Sequence, residues 1–209
     1  VLDPGHNGGN GSATAHLVDA GNGIRKACNT TGTSTNAGYP EHAFNWDVAL
    51  RAKAILEAKG ATVVLTRDSD TGIGPCINER ARIGNETNAD AVVGIHADGH
   101  DGGGHGFFVM QPPADNPKVN PGGAPASRRL AKVMHTTFAA TTGIPSSTYI
   151  LGGFLTTTDT GGINLSTRPI ITIECLNMRD AGDAAKATDP SWRQRIAEGI
   201  AAGIIAFLR

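Results

Sequence analysis

Four side chains of this 209-residue chain are of types that together can hydrolyse an amide: His6, Glu41, His96 and Glu174. His6 closes the opening stretch Val1-Leu2-Asp3-Pro4-Gly5-His6, in which two apolar residues run into the turn-forming triplet Asp-Pro-Gly. His96 closes the apolar run Ala91-Val92-Val93-Gly94-Ile95, and Glu174 closes Pro169-Ile170-Ile171-Thr172-Ile173. Glu41 follows Pro40 at the head of an amphipathic segment. Two imidazoles and one carboxylate make a three-ligand zinc site with a fourth place left for water. A further carboxylate that does not bind the ion can then act as general base. The residues alone leave open which carboxylate takes which role.

Each of these positions has a plainer reading. Glu41 in a first helical turn suits the positive end of the helix dipole. Glu174 after so apolar a run needs a partner, and Arg67 or Arg168 would serve. Asp3 is either a carboxylate orienting a ligand histidine or simply the residue of an Asp-Pro turn. His100 and His105 form a rival spacing with His96, but they sit in a Gly-rich stretch and read as rim residues.

Several elements must bring the four together. Strands are expected at the chain start, over 61–67, 91–96, 106–110 and 169–174, with a short one within 149–155. Phe44, Val48, Ala52 and Ile55 mark the apolar face of a helix from Pro40 to Gly60. Further helices are expected over 77–88 and 125–142, the latter presenting Leu130, Val133, Met134 and Phe138. A last helix, capped by Asp189, presents Trp192, Ile196, Ile200, Ile204 and Phe207. Residues 7–39 read as a long loop, and 111–125, with five prolines, as irregular surface. The alternation gives an α/β class: one domain over 1–209 with a mostly parallel (mixed) sheet and helices on both faces. In such a sheet the C-terminal strand edges gather ligand-binding residues.

The formal net charge of −1 argues against a nucleic-acid binder, and no apolar run is long enough to span a membrane. Of the three cysteines, Cys28 and Cys76 lie in loop-like stretches and Cys175 ends an apolar run. The expected pairing is Cys28–Cys76 with Cys175 buried and free, which implies export; the alternative is three reduced thiols in a cytosolic protein. No signal peptide is visible; the chain opens directly on a strand, and the residues leave open whether an upstream export segment was removed.

The chain resembles the zinc-dependent N-acetylmuramoyl-L-alanine amidases, the type 3 peptidoglycan amidases, and most of all their small single-domain mycobacterial-type members. The resemblance runs nearly end to end. It rests on Leu2-Asp3-Pro4-Gly5-His6, Glu41, Leu65-Thr66-Arg67-Asp68-Ser69-Asp70, the segment from Arg80 through Asn88-Ala89-Asp90 to Ile95-His96, and Ile173-Glu174. It implies that His6, Glu41 and His96 bind Zn2+, that Glu174 is catalytic, and that the substrate is the amide joining the lactyl group of N-acetylmuramic acid to L-alanine in peptidoglycan or muropeptide. The chain departs from the family at Asp98, where Asn is common, and at Cys175-Leu176-Asn177, where many members carry Gly-Phe. Arg67 and Arg80 are candidates either for stem-peptide carboxylates or for internal ion pairs. A monomer acting in the periplasmic or cell-wall space is expected. The competing readings are a non-catalytic peptidoglycan-binding module and a zinc-dependent carbohydrate deacetylase.

Overall fold

The computed structural model describes residues 1–209, apart from the side chain of Ser12. In chain order the strands are β1 (Leu2–Pro4), β2 (Leu17–Asp19), β3 (Arg25–Ala27), β4 (Val92–Asp98), β5 (Phe108–Gln111), β6 (Phe154–Thr156) and β7 (Ile170–Asn177). The helices are α1 (Glu41–Glu57), α2 (Ile77–Glu86), α3 (Ala124–Thr142), α4 (Gly161–Leu165), α5 (Ala181–Thr188) and α6 (Pro190–Leu208). Five strands form one sheet in the order β1-β4-β7-β5-β6. The β1–β4, β4–β7 and β5–β6 pairs are parallel, and β5 runs antiparallel to β7. The sheet is therefore mixed and mostly parallel, as the alternating pattern predicts.

Neighbouring residues of β4 and β7 serve opposite faces, as the two-residue pleat requires. Val93, Ile95, Ile171 and Ile173 enter the main core with Phe44, Val48, Leu130, Met134, Phe138, Ile196 and Ile200. That core is built by α1, α3 and α6. Val92 and Ile170 turn the other way, into a smaller cluster with Ile163 and Val119. The second face carries only the short α2 and α4, so its upper part is left open as a cleft. Helices do cover both faces, but unequally.

The helical expectations over 40–60, 77–88, 125–142 and 189 onward hold, with one shift of face. On α1 it is Leu56, not Ile55, that is buried with Phe44, Val48 and Ala52. Asp189 caps α6 by accepting from the Ser191 amide. Several expectations need correction. Residues 61–67 are not a buried strand. They make one bridge, Leu2 to Leu65, at the sheet margin, where the three residues of β1 offer little to pair with. The 7–39 stretch is not all loop, since β2 and β3 form an antiparallel hairpin within it. The expected strand within 149–155 shrinks to β6, and α4 and α5 were not foreseen. Finally, β4 and β7 run past His96 and Glu174, to Asp98 and Asn177, so both residues lie inside strands. A register shift between His96 and Asp98 marks the place where the β4 ladder distorts.

Candidate active site

His6 leaves the end of β1 with a left-handed backbone, φ 59°. A non-glycine residue held there is strained by about 1–3 kcal/mol, and the surrounding contacts must impose it. They do. The Arg80 guanidinium donates to the carbonyls of Pro4 and His6 at 2.7 and 2.8 Å, and Arg67 Nε donates to Pro4 O at 3.0 Å. The His6 Nδ1 faces the Thr30 carbonyl at 3.0 Å. A proton on Nδ1 satisfies that contact and leaves the Nε2 lone pair free for a ligand, an orienting device common to metal-binding histidines.

Glu41 is the first residue of α1 and is 4 % exposed. One oxygen lies 3.1 Å from His6 Nε2 and the other 2.9 Å from His96 Nδ1. The Thr33 amide donates to Oε2 at 2.9 Å, and Asn45 Nδ2 and the Ala97 amide donate to Oε1 at 3.2 and 3.3 Å. The two imidazole rings stand edge to face with centroids 4.9 Å apart. The ligand atoms of His6, Glu41 and His96 thus all lie within 4.8 Å of one another. Backbone packs tightly around them. A Cβ on Gly5 would lie 2.1 Å from the His96 ring, and one on Gly32 would lie 2.5 Å from Glu41 Oε2.

The charges respond to one another. Burial alone would push the Glu41 carboxyl up, yet the facing imidazoles hold it well below its usual range. Burial likewise opposes protonation of His6, but Glu41's charge and hydrogen bond, with the Thr30 carbonyl, raise it above its ordinary value. Two imidazoles crowding one buried carboxylate is the arrangement that a divalent cation relieves. The donor set, nitrogen, nitrogen and oxygen, suits zinc.

Glu174 stands beside this cluster. It pairs in register with His96 across the parallel β4–β7 ladder, and Phe108 flanks it from β5. Its Oε2 is buried and meets no donor among the described residues. Burial pushes its carboxyl well above the ordinary range, and the charges of Glu41 and Asp98 add to the rise. The arginine partners open from the sequence are elsewhere. Arg168 binds the Ala89 carbonyl and Asn88, and Arg67 spends its donors on backbone carbonyls and Asp70. A carboxylate left unpaired in this way is costly and is a mark of chemistry rather than of packing. His6, His96 and Glu174 all open onto one cleft of about 340 Å3.

The other predicted residues fall as follows. Arg67 and Arg80 are 4 % exposed, and their donors hold the turn that carries His6. Asp3 touches no histidine; it accepts from Arg80 at 2.7 Å and from Thr66 at 2.5 Å. His100 stacks on Tyr149, centroids 4.4 Å apart, and His105 is exposed, so neither joins the cluster. Cys28 and Cys76 form a disulfide, and Cys175 is free and buried. His16 lies beside that disulfide, but the sulfurs are committed to each other and offer no thiolate. At the departures from the family, Asp98 accepts from the Tyr149 hydroxyl at 2.9 Å. Asn177 ties down the Gly-rich loop through the carbonyls of His100 and Gly104. Sequence reasoning missed Thr30, Thr33 and Asn45. Thr33 acts through its main-chain amide and Thr30 through its carbonyl as well as its hydroxyl, 3.1 Å from His6 Nδ1, and main-chain contacts are not revealed by residue type.

Residues 1–206 match the family Amidase_3, N-acetylmuramoyl-L-alanine amidase. The chain is 38 % identical over 208 residues to the N-acetylmuramoyl-L-alanine amidase Rv3717 of Mycobacterium tuberculosis, covering 99 % of this chain and 85 % of that protein. Among solved structures it is similar to the N-acetylmuramyl-L-alanine amidase Ami1 of Mycobacterium smegmatis, with a TM-score of 0.92 at 41 % identity, over 99 % of this chain and 94 % of that one. The apo form of Ami1 from Mycobacterium abscessus gives 0.92 at 42 % identity, over 100 % and 97 %. Matched along almost its whole length in sequence and in fold, this chain belongs to the N-acetylmuramoyl-L-alanine amidase family.

Proposed function

We propose that the protein is a zinc-dependent hydrolase of the amide between the lactyl group of N-acetylmuramic acid and L-alanine of the stem peptide. The observation that carries this reading is Glu174, a half-buried carboxylate whose Oε2 is buried and unpartnered, beside a converging His6–Glu41–His96 set, at one cleft. His6, Glu41 and His96 would hold the zinc, which when bound supplies Lewis-acid polarisation and a water acidic enough to be deprotonated near neutral pH. Glu174 takes the proton of the attacking water and returns it to the leaving nitrogen of L-alanine. Its raised proton affinity suits both transfers. Glu41 cannot share this task, because its oxygens are already committed to the imidazoles and to three donors. Arg67 and Arg80 fix the His6 turn; neither has a donor turned to substrate in this arrangement. The 1–209 span acts as one catalytic domain, and the disulfide accords with action in the cell-wall space.

The test is product analysis by mass spectrometry after digestion of a defined muropeptide, with and without a chelator. Free stem peptide beginning at L-alanine, lost on chelation and restored by zinc, is expected. Release of acetate with the lactyl–alanine amide intact would instead identify a deacetylase, and binding without cleavage a non-catalytic module.

A further inference from the structure

We propose that Lys26 and Thr160 select stem peptides that carry a free carboxylate near the cleaved amide. This rests on the reading that the cleft takes a muropeptide. Of the charged groups lining the cleft, Arg80 and Asp3 neutralise each other, and His6 and His96 face Glu41. That leaves Lys26, on β3, as the cation whose donors are not spent on the buried turn. Its Nζ lies 2.7 Å from Asp159 Oδ2 and 2.7 Å from the Asp159 carbonyl, so an ammonium with three donors retains one. Asp159 is 76 % exposed, so this pair is well solvated and exchanges readily for another carboxylate.

Thr160 is an independent observation at the same place. It follows Asp159, lines the same cleft, and its Oγ1 is buried with no partner among the described residues. An unsatisfied hydroxyl on the residue after Asp159, and a cation with a spare donor held on Asp159 itself, fit an incoming acceptor that carries negative charge. A carboxylate satisfies both groups at once and displaces that of Asp159 into water. A carboxamide brings no charge, and Lys26 then keeps Asp159.

The experiment uses the zinc-loaded protein and two synthetic muropeptides. They differ only in whether the residue after L-alanine carries a free acid or a carboxamide. Wild type is expected to favour the acid about three- to tenfold in kcat/KM, through KM. Lys26→Gln and Thr160→Val should each raise KM for the acid more than for the carboxamide and shrink the preference, whereas Lys26→Arg should retain most of it. A wild type that cleaves both substrates without preference, or a preference that survives Lys26→Gln, overturns the proposal while the amidase reading stands. Failure of wild type to cleave either substrate removes that reading and this proposal together.

Discussion

His96 and Glu174 face each other in register across the parallel β4–β7 pair, one imidazole turned to Glu41 and one carboxylate left without a donor. A carboxyl whose folded pKa is raised binds its proton more tightly folded than unfolded. The stability this contributes is present below the ordinary value of 4.5 and is lost as pH rises through the folded value. In metal-free protein Glu174→Gln removes that loss. It should stabilise by about 1–3 kcal/mol at neutral pH, the scale for an unpaired buried polar group. Urea denaturation of both proteins at acid and neutral pH should show a gap that widens as pH rises.

Zinc binding at His6 competes with a proton that Glu41 holds more tightly than usual. In metal-free protein the His6 contribution to stability is present below 6.5 and is lost as pH rises through its raised pKa. For the metal the sign is reversed: below that pKa the proton must be displaced, and affinity falls by up to about tenfold per pH unit for this one group. Chelator competition between pH 8 and pH 6 should show zinc affinity falling toward acid, and His6→Ala should abolish stoichiometric binding.

Gly32 lies against both Glu41 and His6 with φ +77°. Alanine there would be strained by its backbone and would meet Glu41 Oε2 at 2.5 Å. Gly32→Ala is expected to lower zinc affinity at least about tenfold, a displaced ligand or its supporting shell being worth that much. Far-ultraviolet circular dichroism should stay native, since the segment belongs to no helix or sheet. Unchanged zinc affinity would show that the 30–33 segment does not set the ligands.

Much of this was legible in residue order, for physical reasons that differ by element. β4 and β7 announce themselves because strands buried on both faces read as apolar runs. α3 and α6 show because their apolar stripes must face one core. The 61–67 run misleads because its apolar residues lie half-buried at a sheet margin with one bridge. The β2–β3 hairpin hides because its strands are three residues long and largely exposed, so no alternation is needed. α5 hides because most of its residues need not be buried. The four reactive side chains stand at readable places, after apolar runs and at a helix head. Their supports do not, because Thr33 acts through its amide, Thr30 through its carbonyl as well as its hydroxyl from a featureless loop, and Arg80 reaches across 74 residues to His6 O.

The Cys28–Cys76 disulfide closes a loop of 48 residues and anchors the segment that leads to Thr30. Constraint of the unfolded chain predicts a loss of about 4 kcal/mol in the double serine variant. Urea unfolding checks this, and a thiol count on unreduced, denatured protein should find one group, Cys175.

Arg80 donates to Asp3, to Thr66 and to the carbonyls of Pro4, His6, Gly74 and Pro75. Arg80→Ala leaves several buried acceptors unmet and should destabilise by about 3–5 kcal/mol. Arg80→Lys should keep the charge but lose the fork, lowering stability and zinc affinity together. A variant of normal stability whose only defect is a raised KM would place Arg80 at the substrate instead.

The most direct test is to measure zinc content and muropeptide turnover on the same preparation of Glu174→Gln. One zinc per chain with turnover reduced at least about a thousandfold is predicted, as expected when a general base is removed and the metal is kept. Turnover near wild type, or loss of the zinc along with the activity, would contradict the separation of Glu174 from the three ligands.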